Sequence, residues 1–197
     1  IGNQDCATTP LQMAVVANTI ANRGIRYKPY LVDGLYKYGS GELVSKTQPT
    51  IAEKIKLNDE NLYDYIIPGM IDASRNIPAQ YSLSNLGFDV AIKTGTPQTG
   101  QDTSEQDSFF IGFAPADNPE IAFAGVIEGG EYSKYMVHDI IDAYEECFGF
   151  TEKKKPVELP PEVRGGTTAK TTTTTTGTTT GNDTSTNTTT TVTTVIQ

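Results

Sequence analysis

Residues 93–96, Lys-Thr-Gly-Thr, bring together one ammonium, two hydroxyls and a glycine whose backbone a ligand can approach closely. The run ends an apolar stretch, Val90, Ala91 and Ile92, where a buried strand would ordinarily continue with another apolar side chain. On an alternating strand Lys93 shares its face with Ala91 and Gly95, while Val90, Ile92 and Thr94 point the other way. Small neighbours leave an open slot beside the ammonium. A positive charge flanked by hydroxyl and amide donors suits a carboxylate ligand. An edge-strand lysine also deters aggregation without any ligand, and the tripeptide alone does not separate these two roles.

Other reactive side chains are sparse. His138 is the only histidine; a Ser-His-Asp triad would need it beside a strand-end serine, whereas it opens a predicted helix, where a surface or capping role accounts for it. The acidic residues of 101–107, Asp102, Glu105 and Asp107, read as a polar hairpin loop that at most rims a substrate groove. Cys6 and Cys147 stand at opposite ends of the folded region, which makes neither a disulfide framework nor a metal site, and Cys147 falls on the apolar side of a predicted helix as a buried thiol. No metal and no cofactor is expected.

The elements that must position Lys93 follow from the patterning. Thr9 caps a helix that begins at Pro10, and Gln12 completes a capping box. Leu11, Met13, Val15, Val16, Ala17 and Ile20 make that helix apolar nearly all round, so it should be buried, and Gly24 stops it. Residues 30–49 hold two strand-like runs around Gly39-Ser40-Gly41, a peripheral hairpin. Asn58, followed by acidic residues, is expected to cap a helix over 60–74 that Pro68 and Gly69 kink or interrupt. Strands are predicted at 88–96, 108–114 and 121–128, joined too closely for parallel crossovers and therefore antiparallel. The second and third are continuously apolar, as strands covered on both faces are. A helix from about 135 to 148 closes one face, giving an α+β fold in which helices flank an antiparallel sheet.

The 197 residues are not uniform in composition. Residues 1–150 form the folded part, 151–166 a Pro/Lys/Gly linker, and 167–197 a Thr-rich tail too poor in apolar residues to offset its ordering entropy, hence disordered. The formal charge of −9 disfavours nucleic acid as a partner.

Three strings, residues 8–24, 90–98 and 107–130, in that order and spacing, resemble the last half of the transpeptidase domain of class B penicillin-binding proteins, a likeness that covers residues 1–150. Lys-Thr-Gly is the third motif of that family and of class A β-lactamases. The resemblance implies peptidoglycan D,D-transpeptidation, in which a serine attacks the D-Ala-D-Ala end of a stem peptide, forms an acyl-enzyme and passes the acyl group to an amine; β-lactams mimic the donor and stay attached. It assigns catalytic support to Lys93 and Thr96, substrate binding to Thr94, Gly95 and Thr96, and an oxyanion-hole role to the N–H of Thr96. It further implies an extracytoplasmic protein, anchored in the membrane by an upstream segment and working with other membrane-bound cell-wall synthesis proteins.

The departures carry equal weight. Neither S-x-x-K nor S-x-N occurs in a credible place: Ser133 is followed three residues later by Met136, and Asn85 follows Ser82 and Ser84 at the wrong spacings. The nucleophile and its base, which act as a pair, are therefore expected upstream of Ile1, and the chain alone is expected to be inactive. Ile92 and Pro97 also differ from the family's usual residues, and Pro97 cannot donate a ladder hydrogen bond. A non-catalytic penicillin-recognising or scaffold domain, and a β-lactamase, are the alternatives. The sheet face opposite the closing helix is expected to need helices from the missing half.

Overall fold

The computed structural model describes residues 7–59, 61–78, 81–83, 85–97, 106–130 and 133–151, and the backbone of 190–196. Cys6, the whole of the 98–105 loop, residues 152–166 of the linker and residues 167–189 and 197 of the tail lie outside the described residues.

The first helix, α1 (Pro10–Ala21), starts as its sequence dictates: Gln12 N–H donates to the Thr9 hydroxyl while the Gln12 side chain accepts the Thr9 N–H at 2.8 Å. Gly24 follows its end with φ of +96°, and a Cβ there would lie 2.7 Å from the Tyr63 hydroxyl and 2.8 Å from the Ile55 carbonyl. Only glycine fits that close approach. Two short antiparallel sheets come next in the chain. β1 (Ile25–Tyr27) pairs with β4 (Ile51–Lys54), and β2 (Gly34–Tyr36) with β3 (Leu43–Lys46). The β2–β3 hairpin turns through Gly39 and Gly41, both at positive φ, and stands exposed as expected.

The second helix, α2 (Leu62–Arg75), begins later than the sequence suggests. Asp59, not Asn58, provides the local acceptor, taking the Asn61 N–H at 2.9 Å. The helix also runs through Pro68 without interruption. Packing outweighs the lost hydrogen bond: Met70 and Ser74 are buried, and Ile67 and Ile71 are packed against the core on the same side.

The main sheet has the order β5-β6-β7-β8, antiparallel throughout: β5 (Ala91–Gly95), β6 (Ser108–Ala114), β7 (Ile121–Ile127) and β8 (Thr190–Ile196). β8 corrects the expectation that the whole of 167–197 is disordered, because its seven residues pair one for one with β7. Runs of Thr, Val and Ile are stiff at χ1 and favour the extended backbone, and β7 would otherwise carry an unpaired edge.

Register in the sheet is fixed by reciprocal packing. Phe123 lies opposite Gly112 and Phe110 opposite Gly125. An added Cβ at Gly112 would fall 2.7 Å from the Phe123 ring, and one at Gly125 would fall 2.5 Å from the Phe110 ring. Both rings are fully buried, with centroids 6.1 Å apart and planes tilted by 55°, in the range favoured by aromatic pairs. Each ring contributes about 1.5–3 kcal/mol through burial.

Alternation along β5–β7 creates two cores. Ile92, Phe110 and Phe123 pack with Val137, Ile141 and Tyr144 of α3 (Met136–Cys147), which a 3₁₀ turn at Ser133–Tyr135 introduces. Ala91, Ile111 and Phe113 pack with Ala14 and Ala17 of α1 and Met70 of α2. The face opposite α3 is thus covered from within the chain, contrary to expectation. The small alanines let α1 approach the sheet closely. α1 is nevertheless buried on one side only: Leu11 and Val16 are each 43% exposed. Cys147 is likewise exposed rather than buried, because the inner face of α3 is taken by Val137, Ile141 and Tyr144.

Candidate functional site

β5 is an edge strand of the main sheet, paired with β6 alone. Its alternation follows the sequence expectation: Ala91 and Ile92 are fully buried in the two opposite cores, and Lys93 emerges on the Ala91 side, across from Ile111. Lys93 is exposed. Its ammonium donates to the carbonyl of Thr94. Among the described residues no carboxylate forms a salt bridge with it.

Gly95, across from Phe109, keeps the place beside the ammonium open, since a Cβ there meets nothing within 4 Å. This space contrasts with Gly112 on the next strand, where a Cβ would touch backbone and ring. Thr94 lies across from buried Phe110 and is half-buried on the α3 side, whereas Thr96 is exposed just past the end of the strand. The motif therefore divides in two: Lys93 and Gly95 share one face, and the two threonines flank it through the strand end and its backbone. An edge strand leaves alternate N–H and C=O groups directed away from the sheet, where an extended ligand can pair with them.

Beyond Gly95 the strand stays tethered although Pro97 has no N–H to give. Its carbonyl accepts the Asp107 N–H at 3.0 Å. The Asp107 carboxylate accepts the Gly129 N–H at 2.9 Å, and the Ser108 hydroxyl lies 2.6 Å from that of Ser133 and accepts the Ser133 N–H at 3.0 Å. Both serines are buried. By its local sequence Asp107 is only one of the polar residues of the hairpin loop. Only the folded hairpin brings it to Gly129, so no local pattern announced the contact.

His138 does not join this group. It pairs with Asp142 at 3.1 Å, one turn along α3, and α3 packs on the sheet face opposite Lys93. Among the described residues no set of three or more His, Cys, Asp or Glu side chains could hold a metal ion, and no helix is long and apolar enough to cross a membrane.

Comparison with known proteins gives a consistent result. Residues 1–142 match the family model described as the penicillin binding protein transpeptidase domain. The peptidoglycan D,D-transpeptidase PbpA of Mycolicibacterium smegmatis is 34% identical over 132 residues, which is 66% of this chain and 26% of that protein. Penicillin-binding protein 2B of Streptococcus pneumoniae is 31% identical over 156 residues, 70% of this chain and 22% of that protein. Among solved structures, penicillin-binding protein A from M. tuberculosis, as its imipenem acyl-enzyme complex, aligns with a TM-score of 0.62 and 30% identity over 73% of this chain and 32% of that chain. The chain thus spans about a quarter of the length of these curated relatives.

Proposed function

This chain belongs to the penicillin-binding protein transpeptidase family, and we propose that it forms the substrate-holding part of a class B-type peptidoglycan D,D-transpeptidase. The observation that carries the reading is the pairing of an exposed Lys93 with an open slot at Gly95 on an edge strand. The slot receives the terminal carboxylate of a D-Ala-D-Ala stem peptide, or that of a β-lactam. Lys93 supplies the positive field, Thr94 contributes through the backbone of the strand edge, Thr96 supplies a hydroxyl donor at the strand end, and the Thr96 N–H stabilises the oxyanion of the tetrahedral intermediate. These groups polarise and orient; they do not attack. The nucleophilic serine and its lysine base come from a part of the domain beyond these 197 residues, and the exposed Leu11 and Val16 of α1 and Leu62 and Ile66 of α2 offer apolar surface for it. The protein works outside the cytoplasmic membrane, held there by a segment beyond this sequence.

Fluorescent penicillin tests the reading. The product of the complete reading frame should acquire a stable adduct on a serine outside residues 1–197, and the chain alone should acquire none. An adduct on any serine of this chain refutes the assignment, and rapid hydrolytic turnover points to a β-lactamase. Absence of labelling favours a non-catalytic scaffold. That second reading has one observation behind it: the hairpin region exposes Leu31, Leu35, Tyr36 and Tyr38 together, more apolar surface than a peripheral hairpin needs.

A further inference from the structure

We propose that Asp107 is a positioning residue for the Lys-Thr-Gly site, acting through the backbone at the exit of β5; this inference rests on the function proposed above. Where an ordinary residue would offer both a donor and an acceptor to β6, Pro97 offers only its carbonyl. That carbonyl lies one residue past Thr96 and is held by the N–H of Asp107 at 3.0 Å. The direction of the Thr96 N–H therefore depends on where Asp107 stands. Asp107 is in turn fixed from its other end, because its carboxylate accepts the Gly129 N–H at 2.9 Å, in a turn where Gly129 has φ of +63°.

The adjacent residue ties the same point to a third segment. Ser108, through its buried contacts with Ser133, binds the start of β6 to the turn that introduces α3. Asp107 and Ser108 thus join the end of the site strand, the turn after β7 and the head of α3. A carboxylate here makes a charge-assisted bond to an amide and locks the junction more firmly than a neutral acceptor would. Since a misplacement of about 1 Å in a catalytic group costs on the order of 100-fold in rate, loosening this brace should slow acylation while leaving initial recognition by Lys93 largely intact.

The test uses the complete protein with Asp107→Ala and Asp107→Asn, and resolves penicillin acylation into its rate constant and its initial dissociation constant. Asp107→Ala should lower the rate constant about 10- to 100-fold, with less than about threefold change in the dissociation constant. Asp107→Asn keeps an oxygen acceptor for Gly129 and should recover most of the lost rate. If Asp107→Ala does not fold, Asp107→Glu, which retains the charge but displaces the acceptor, should show the same selective loss. Wild-type acylation by Asp107→Ala, or an Asn variant as slow as Ala, overturns the proposal. Should the unmodified protein take no penicillin at all, the proposed function fails first, and amide exchange at residues 94–96 of this chain still decides the point. Faster exchange in Asp107→Ala than in Asp107→Asn supports the brace; equal exchange refutes it.

Discussion

A single methyl group at Gly95 should separate ligand binding from folding. An ideal Cβ at this position meets no atom within 4 Å, so Gly95→Ala adds no clash. It also removes the excess freedom of glycine in the unfolded chain, a gain of about 0.5–1 kcal/mol. The same substitution at Gly112 puts the new carbon 2.6 Å from the Ala91 carbonyl oxygen and 2.7 Å from the Phe123 ring. Neither neighbour can move easily, since Ala91 is in the sheet and Phe123 is fully buried, so overpacking costs about 1–3 kcal/mol. The glycine term is common to both, so the two alanine variants should differ by about 1–3 kcal/mol in urea denaturation, Gly95→Ala lying above the parent and Gly112→Ala below it. In the complete protein the ranking reverses for function. The methyl at residue 95 intrudes where the ligand must approach, and a clash of about 1–3 kcal/mol slows penicillin labelling about 5- to 150-fold. A Gly95→Ala chain destabilised by more than about 1 kcal/mol, or a complete Gly95→Ala protein labelled at the parent rate, would refute the claim that the slot is empty for a ligand's sake.

Two further outcomes follow from the sheet and its cover. Deleting residues 190–196 should strip β7 of its partner; its amides lose exchange protection and the chain begins to self-associate, as an unpaired apolar edge predicts, whereas unchanged protection would mean that β8 does not cover that edge in solution. Tyr144 should ionise above the usual phenol range, because burial and then the nearby Glu120 charge disfavour the phenolate. With the folded value raised, this group leaves stability unchanged below pH 10, and its contribution turns destabilising as pH climbs from there through the folded-state pKa. Ultraviolet titration of tyrosinate checks this, and Glu120→Gln should bring the transition down.

What could be read in advance was whatever a contiguous pattern encodes. The Thr9–Gln12 cap, the Gly39–Gly41 turn and the tight antiparallel succession of β5, β6 and β7 each need only a few neighbouring residues, and each is found in the structure. The alternation of Ala91, Ile92 and Lys93 likewise fixed which side of the strand the lysine occupies. The β1–β4 sheet escaped because three- and four-residue strands, exposed or half-exposed, carry no buried face to impose a period of two. Pro68 misled because propensity is local whereas Met70 and Ser74 hold α2 to the core from outside its own segment. In the tail, composition concealed a strand: the β-branched residues that fail to make a core can still extend and pair along an existing edge. The Asp107–Gly129 contact joins residues 22 apart in sequence, a distance only the completed hairpin closes.

The crossed arrangement of Phe110 over Gly125 and Phe123 over Gly112 also bears on how this sheet can change over generations. Enlarging either glycine alone collides with a ring, and shrinking either ring alone leaves a void. Viable variants must therefore alter both members of a couple in one step or pass through a handicapped ancestor. Drift is free to rewrite the exposed hairpin, whereas β6, which follows Asp107 and pairs with the strand of Lys93, is constrained by ring–glycine couples that never meet a ligand.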